Sequence, residues 1–186
     1  MKNSNFDVRR ITRISMLVAI IILLGLFPPI SLGFIPVPLV LQNLGILLAG
    51  LLLGKKDGMI AVISFFILVA LGLPFLAGGR GGIAVFYSVS AGFLLGYLVS
   101  AFIIGLLIEK LHFKQKITSA LVATLVGVLV IDVIGGIYMG LYLNHSPISG
   151  LVSSAVFLPG DILKAIVASV VYVSIPESML KRASNN

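Results

Sequence analysis

Residues 117–143 read ITSALVATLVGVLVIDVIGGIYMGLYL, an apolar run interrupted by a single charged side chain, Asp132. At about 1.5 Å of rise per residue, a helix of this length exceeds the roughly 30 Å hydrocarbon thickness of a bilayer. Lys114 and Lys116 precede it, and Asn144 and His145 follow it. The rest of the chain has the same character, since 59% of its 186 residues are hydrophobic and 10% are charged. Soluble domains hold roughly 45–50% apolar residues and must clothe their surface in charge, so the natural solvent for this chain is lipid. The expected class is a multi-pass protein of the inner or plasma membrane.

Working outward from 117–143, further apolar runs fall at 14–27, 39–53, 59–73, 83–108 and 151–175. Together they predict an all-α polytopic membrane protein, a compact bundle of six transmembrane helices forming a single domain over residues 1–186. Pro28-Pro29 follows the first run and no small-x-small cleavage site is evident, so that run reads as a helix and not a signal peptide. Lys2, Arg9, Arg10, Arg13, Lys55, Lys56, Lys110, Lys114, Lys116, Lys181 and Arg182 all fall on one side of this arrangement. The positive-inside rule makes that side cytoplasmic, with both termini there. The formal net charge of +7 therefore reflects topology, and no nucleic-acid partner is expected.

Several chemistries are excluded. The chain has no cysteine, hence no disulfide, thiolate zinc site or thiol nucleophile. No phosphate-binding loop, His-Glu-x-x-His or Gly-x-Ser-x-Gly motif occurs, and His112 and His145 lie in opposite loops. The chain is not expected to be an enzyme or to hold a metal or cofactor. Active uptake would draw its energy from another chain or an ion gradient.

Two cations, Arg80 and Lys164, break the one-sided charge pattern. Lys164 follows Asp161 by three residues in Phe157-Leu158-Pro159-Gly160-Asp161-Ile162-Leu163-Lys164, so the two share a helix face just after a Pro-Gly break. Ionisable groups inside a membrane are costly. This pair either neutralises itself as an internal salt bridge or offers a polar ligand acceptor oxygens and donor protons together. Arg80 sits in Ala77-Gly78-Gly79-Arg80-Gly81-Gly82, where glycines such as Gly79 permit close backbone approach and the guanidinium suits a carboxylate. The alternative is an exterior turn with a solvated arginine.

Gln42 and Asn43 either donate to a ligand or cross-link helices. Asp132 is either a proton-coupling group or a carboxyl bonded to a neighbouring helix. Phe86, Tyr87, Tyr97, Tyr138 and Tyr142 are candidate walls for a ring system or interfacial anchors. Small residues four apart suggest close helix packing at Gly50 and Gly54, Gly92 and Gly96, and Gly136 and Gly140; Ser15 and Ala19 form a similar strip on the first helix.

Ile35-Pro36-Val37-Pro38 leading to Leu41-Gln42-Asn43-Leu44, the run Gly72-Leu73-Pro74-Phe75-Leu76-Ala77-Gly78-Gly79-Arg80-Gly81-Gly82, and Phe157 to Ala165 resemble the BioY family in order and spacing. The resemblance implies a six-helix S component of an energy-coupling-factor (ECF) transporter that binds biotin with high affinity. Its expected partners are a transmembrane coupling subunit and two ATP-binding-cassette ATPases, and the Ser15 and Ala19 strip would meet the coupling subunit. Biotin suits the charges: Asp161 accepts from the ureido N–H groups, Lys164 donates to the ureido carbonyl, and Arg80 holds the carboxylate, or Lys164 and Arg80 exchange roles. Tyr87-Ser88-Val89-Ser90-Ala91-Gly92 departs from the family pattern and leaves open whether this stretch lines the pocket. Two rival readings share the architecture, an S component for another vitamin and a self-sufficient secondary transporter with Asp132 as a proton relay.

Overall fold

A computed structural model describes residues 8–34, 37–111 and 113–176 of the chain. Lys2, Ile35, Pro36, His112, Lys181 and Arg182 lie outside the described residues. In chain order the helices are α1 (Val8–Gly25), α2 (Gln42–Ala70), α3 (Ala91–Lys110), α4 (Lys116–Tyr142), α5 (Pro147–Ser154) and α6 (Leu158–Ser174). Short 3-10 turns occupy Ile83–Tyr87 and Ala155–Phe157. The opening run is thus α4, as its length and apolarity predict.

The expectation of six transmembrane helices is corrected by this arrangement. Among the described residues, three helical stretches are long and apolar enough to cross a membrane: Ala91–Lys110, Lys116–Tyr142 and Pro147–Ser174. The apolar runs at 14–27, 39–53 and 59–73 do not supply three more. Helix α1 takes Arg9, Arg10 and Arg13 into its first turns. Helix α2 takes in most of the next two runs, with Lys55, Lys56 and Asp57 at its middle. Apolar runs read one by one do not reveal that the charges between them are helical too. The cytoplasmic placement of both termini rested on the six-helix count and falls with it. The run at 83–108 is also shorter as a helix, because α3 begins only at Ala91.

Helix α2 is interrupted at Gly54, whose φ of 80° and ψ of −178° belong to no helix. This is backbone that essentially only glycine adopts, and it folds the two arms of α2 onto each other. A Cβ on Gly58 would lie 2.9 Å from the Ala49 carbonyl oxygen, so the arms touch backbone to backbone. Gly54→Ala is expected to cost about 1–3 kcal/mol of stability. Thermal unfolding in detergent checks this as a lowered melting temperature.

Small residues set the other contacts. Gly50 faces Ala101 and Ile104 of α3, Gly92 and Gly96 face Tyr138 and Ile131 of α4, and Gly136 and Gly140 face Gly150 of α5. Each expected pair therefore sits where helices approach closely, apart from Gly54, which makes the turn. Polar side chains add cross-links: the Thr124 hydroxyl lies 3.1 Å from that of Ser169 and 3.3 Å from the Ala165 carbonyl, joining α4 to α6. In a lipid solvent such hydrogen bonds supply part of what hydrophobic burial supplies in water.

Charge separates the two ends of the bundle. Around the Gly54 turn, Arg10 forks onto the Asp57 carboxylate at 2.7 and 2.9 Å, and Lys55 pairs with Glu109 at 3.1 Å. Arg80, Asp161 and Lys164 belong to the other end, where the loop after α1 and the loop before α3 converge on the start of α6.

Candidate functional site

The site begins with the break that Pro159 and Gly160 place at the start of α6. Proline is tolerated in a first helical turn, because its missing N–H would have had no partner there. Asp161 follows in that turn and is 3% exposed. Its Oδ1 accepts from the Lys164 ammonium at 2.6 Å and from the Asn43 amide Nδ2 at 3.0 Å. Lys164 also donates to the Val40 carbonyl at 2.7 Å. The charged pair is therefore tied to the start of α2 and the loop before it, so four polar groups from two parts of the chain converge.

Two loops wall this cluster. Ile30 and Leu39 exchange backbone hydrogen bonds at 2.9 Å in the loop after α1, which brings Val37, Pro38, Leu39 and Val40 over the cavity. Leu76 and Arg80 do the same at 3.0 and 3.2 Å. Gly78 and Gly79, with φ of 79° and 69°, make the reversal between them. Positive φ is inexpensive for glycine and costly for other residues, so these glycines serve to turn the chain and bring Arg80 back to the cavity. Gly79 itself is exposed and does not line it.

Arg80 donates to the Ala77 carbonyl at 3.2 Å and to the Ser90 hydroxyl at 3.1 Å. No carboxylate pairs with it among the described residues, so its guanidinium remains able to receive an anion. Ser90 lines the cavity, so the 87–92 stretch borders it at that residue. Gln42 has a different task. Its Nε2 donates to the Ile21 and Phe75 carbonyls at 3.2 and 2.7 Å, and its Oε1 accepts from the Ala77 N–H at 3.2 Å. With these backbone partners it staples α1, α2 and the Arg80 loop, and it positions the site from the cavity wall.

The cavity measures about 50 Å³. Its apolar walls include Phe93, Leu94, Tyr97, Ile131 and Phe157, with the Phe93 and Phe157 rings edge to face at 5.7 Å. Of the candidate aromatics only Tyr97 lines it; Tyr87 is 72% exposed and stands apart, and Phe86, Tyr138 and Tyr142 are likewise outside the lining. Phe93, Phe157 and the Val40 carbonyl were not foreseen from the sequence, and Ser90 belongs to a stretch whose place was left open. Nothing in the sequence marks a backbone carbonyl as a lysine's partner, and the two phenylalanines look like any others in an apolar helix. Ser15 and Ala19 lie exposed on α1, away from the cavity. No group of three or more His, Asp or Glu among the described residues is arranged to hold a metal ion.

A lipid-embedded helical bundle with a cavity that is apolar at its walls, charged at one corner and covered by two tight loops defines a membrane protein that captures a small polar molecule. The family model described as "BioY family" matches residues 1–181, and the chain belongs to that family. It is 44% identical over 161 residues to "Biotin transporter BioY" of Rhizobium etli, a match covering 83% of this chain and 86% of that one. It is 41% identical to the protein of the same description from Lactococcus lactis subsp. cremoris, over 90% of each chain. A solved structure described as the S-component for biotin from an ECF-type ABC transporter superposes with a TM-score of 0.85 and 40% identity, covering 92% of both chains. The chain is a multi-pass protein of the plasma membrane.

Proposed function

We infer that the chain is the biotin-binding S component of an ECF-type transporter, a transport protein and not an enzyme. Its similarity to biotin transporters and to a biotin S-component supports this function. The observation that carries the site is the buried cluster of Asp161, Lys164 and Asn43 opening on an apolar-walled cavity. Biotin is a rigid bicycle with a polar ureido edge and an acidic tail, and it matches such a lining. Asp161 and the Asn43 carbonyl accept from one ureido N–H, and Lys164, which keeps a third proton beyond its two present acceptors, donates to the ureido carbonyl. Tyr97, Phe93 and Phe157 enclose the bicycle, and Arg80 takes the carboxylate. Gln42 and Gly79 act through the loops they fix, and Tyr87 is left without a contact in this reading.

The cavity is smaller than the roughly 300–1,000 Å³ of small-molecule pockets, so binding requires the 37–40 or 76–80 loop to move outward. Ligand-dependent loop motion offers a route by which capture is signalled to the energising subunits, a coupling subunit and two ATP-binding-cassette ATPases. The exposed Ser15 and Ala19 strip on α1 is a surface on which a coupling helix fits closely.

Equilibrium binding of radiolabelled biotin to the purified chain tests the function. Saturable binding that excess unlabelled biotin displaces, and that thiamine and riboflavin do not, is the expected result. Failure to retain biotin alongside tight binding of another vitamin would overturn it. Arg80→Gln is expected to weaken biotin about tenfold to a hundredfold, as the loss of a charge-assisted contact of about 1.5–3 kcal/mol. The methyl ester of biotin, which lacks the anion, should bind both proteins with nearly equal affinity. Equal losses for acid and ester would remove Arg80 from the carboxylate.

A further inference from the structure

Asp132 has no part in the site described above, although its position in the fold gives it one. It lies in the middle of α4, is 5% exposed, and lines the same cavity as Asp161 and Lys164. Neither of its carboxyl oxygens has a hydrogen-bond partner. The charges whose field reaches it are those of Asp161 and Lys164 on α6, while Arg80, Tyr97 and Asn43 share the cavity wall with it. A buried polar atom without a partner costs roughly 1–3 kcal/mol, and no group of the protein relieves it here. A structural carboxyl would be bonded to a neighbouring helix, and this one is not.

The polar inventory of the cavity tells what is missing. Asn43 has spent Nδ2 on Asp161, and its Oδ1 is also buried without a partner. Turning the amide over would set its oxygen against the Asp161 oxygen, so the carbonyl must be the unpaired end. Unpaired acceptors thus project from two sides, Asn43 on α2 and Asp132 on α4. In either protonation state a carboxyl presents at least one acceptor oxygen. The complement is a rigid group with two N–H donors directed apart, which is the geometry of a cyclic urea.

We propose that Asp132 is a ligand-contacting residue that accepts the second ureido N–H, opposite the N–H taken by Asp161 and Asn43. This rests on the biotin reading above. It makes Asp132 a specificity determinant, because a ligand lacking that N–H leaves the carboxyl without a partner inside the bilayer and is rejected for that reason.

The test crosses variants with ligands. Asp132→Leu, which keeps the volume and removes the acceptors, should bind biotin at least tenfold more weakly than wild type. Asp132→Asn, which keeps one carbonyl oxygen, should stay within about threefold. For biotin methylated at the ureido nitrogen that faces Asp132, wild type and Asp132→Leu should bind alike, whereas methylation at the other nitrogen should leave their difference intact. Should the leucine variant fail to insert, Asp132→Ala carries the same comparison. Unchanged biotin affinity in the leucine variant, or equal losses for biotin and both methylated forms, overturns the proposal while leaving the biotin reading in place. Wild-type protein that binds no biotin removes that reading first, and this inference with it.

Discussion

Asp161→Asn should bind biotin a hundredfold to a thousandfold more weakly than wild type while still inserting in the membrane. The substitution is nearly isosteric, so what it removes is charge. Lys164 would face a neutral amide at a site where its side chain is 12% exposed and that of Asp161 is 4% exposed. Losing the charge of a carboxylate that a ligand N–H meets in a buried, hydrogen-bonded site costs about 2–5 kcal/mol of binding, and about 1.4 kcal/mol is a factor of ten in affinity. Asn43 would suffer too, since its Nδ2 donates to the oxygen that changes. Titration of the purified variant with labelled biotin checks the loss. Affinity within a few-fold of wild type would show that the pair neutralises itself without meeting the ligand.

Gly105→Val should be the most damaging substitution away from the cavity. A Cβ at Gly105 would collide with the backbone of Gly54 and Lys55, at the turn that folds α2 on itself. The obstacle is main chain and cannot swing aside as a side chain does. The turn is also pinned to α3 from a second direction, because the Lys55 N–H donates to the Glu109 carboxylate at 3.1 Å. Overpacking a fitted contact typically costs about 1–3 kcal/mol, and against backbone the cost should reach about 3 kcal/mol or more. The expected result is a sharply lower melting temperature in detergent and a reduced yield of folded protein. A variant as stable as wild type would mean that α3 and the α2 turn are free to separate.

The first of these positions also marks what the sequence makes legible. Asp161 and Lys164 stand out because ionisable groups in an apolar helix are conspicuous and a three-residue spacing fixes their shared face. Arg80 stands out because it breaks the one-sided pattern of the other basic residues. Their convergence with Asn43 and the Val40 carbonyl joins segments far apart in the chain, and no local spacing encodes it. Gln42 and Gly79 were legible as polar or flexible residues near a site, but their tasks depend on partners: three backbone groups for the amide and a loop reversal for the glycine. Tyr87 shows the limit of composition, since an aromatic side chain beside a glycine-rich loop turned outward.

The helix count failed for a related reason. Lys55, Lys56 and Asp57 do follow a reversal, since Gly54 leaves helical geometry and folds the two arms of α2 back on each other, but each arm is shorter than the roughly 20 residues a span needs. Charge at a bend is satisfied by neighbours, here Arg10 and Glu109, and so does not have to mark an end.

A structure of the chain crystallised with biotin, with the ligand sulfur located by its anomalous scattering, tests the central claim most directly. The sulfur should lie between Phe93, Tyr97 and Phe157, with the ureido edge on Asp161 and Lys164 and the acidic tail toward Arg80. Biotin bound elsewhere, with the Asp161 carboxylate still enclosed by Asn43 and Lys164 and no ligand atom within hydrogen-bonding distance of any of them, would contradict the account.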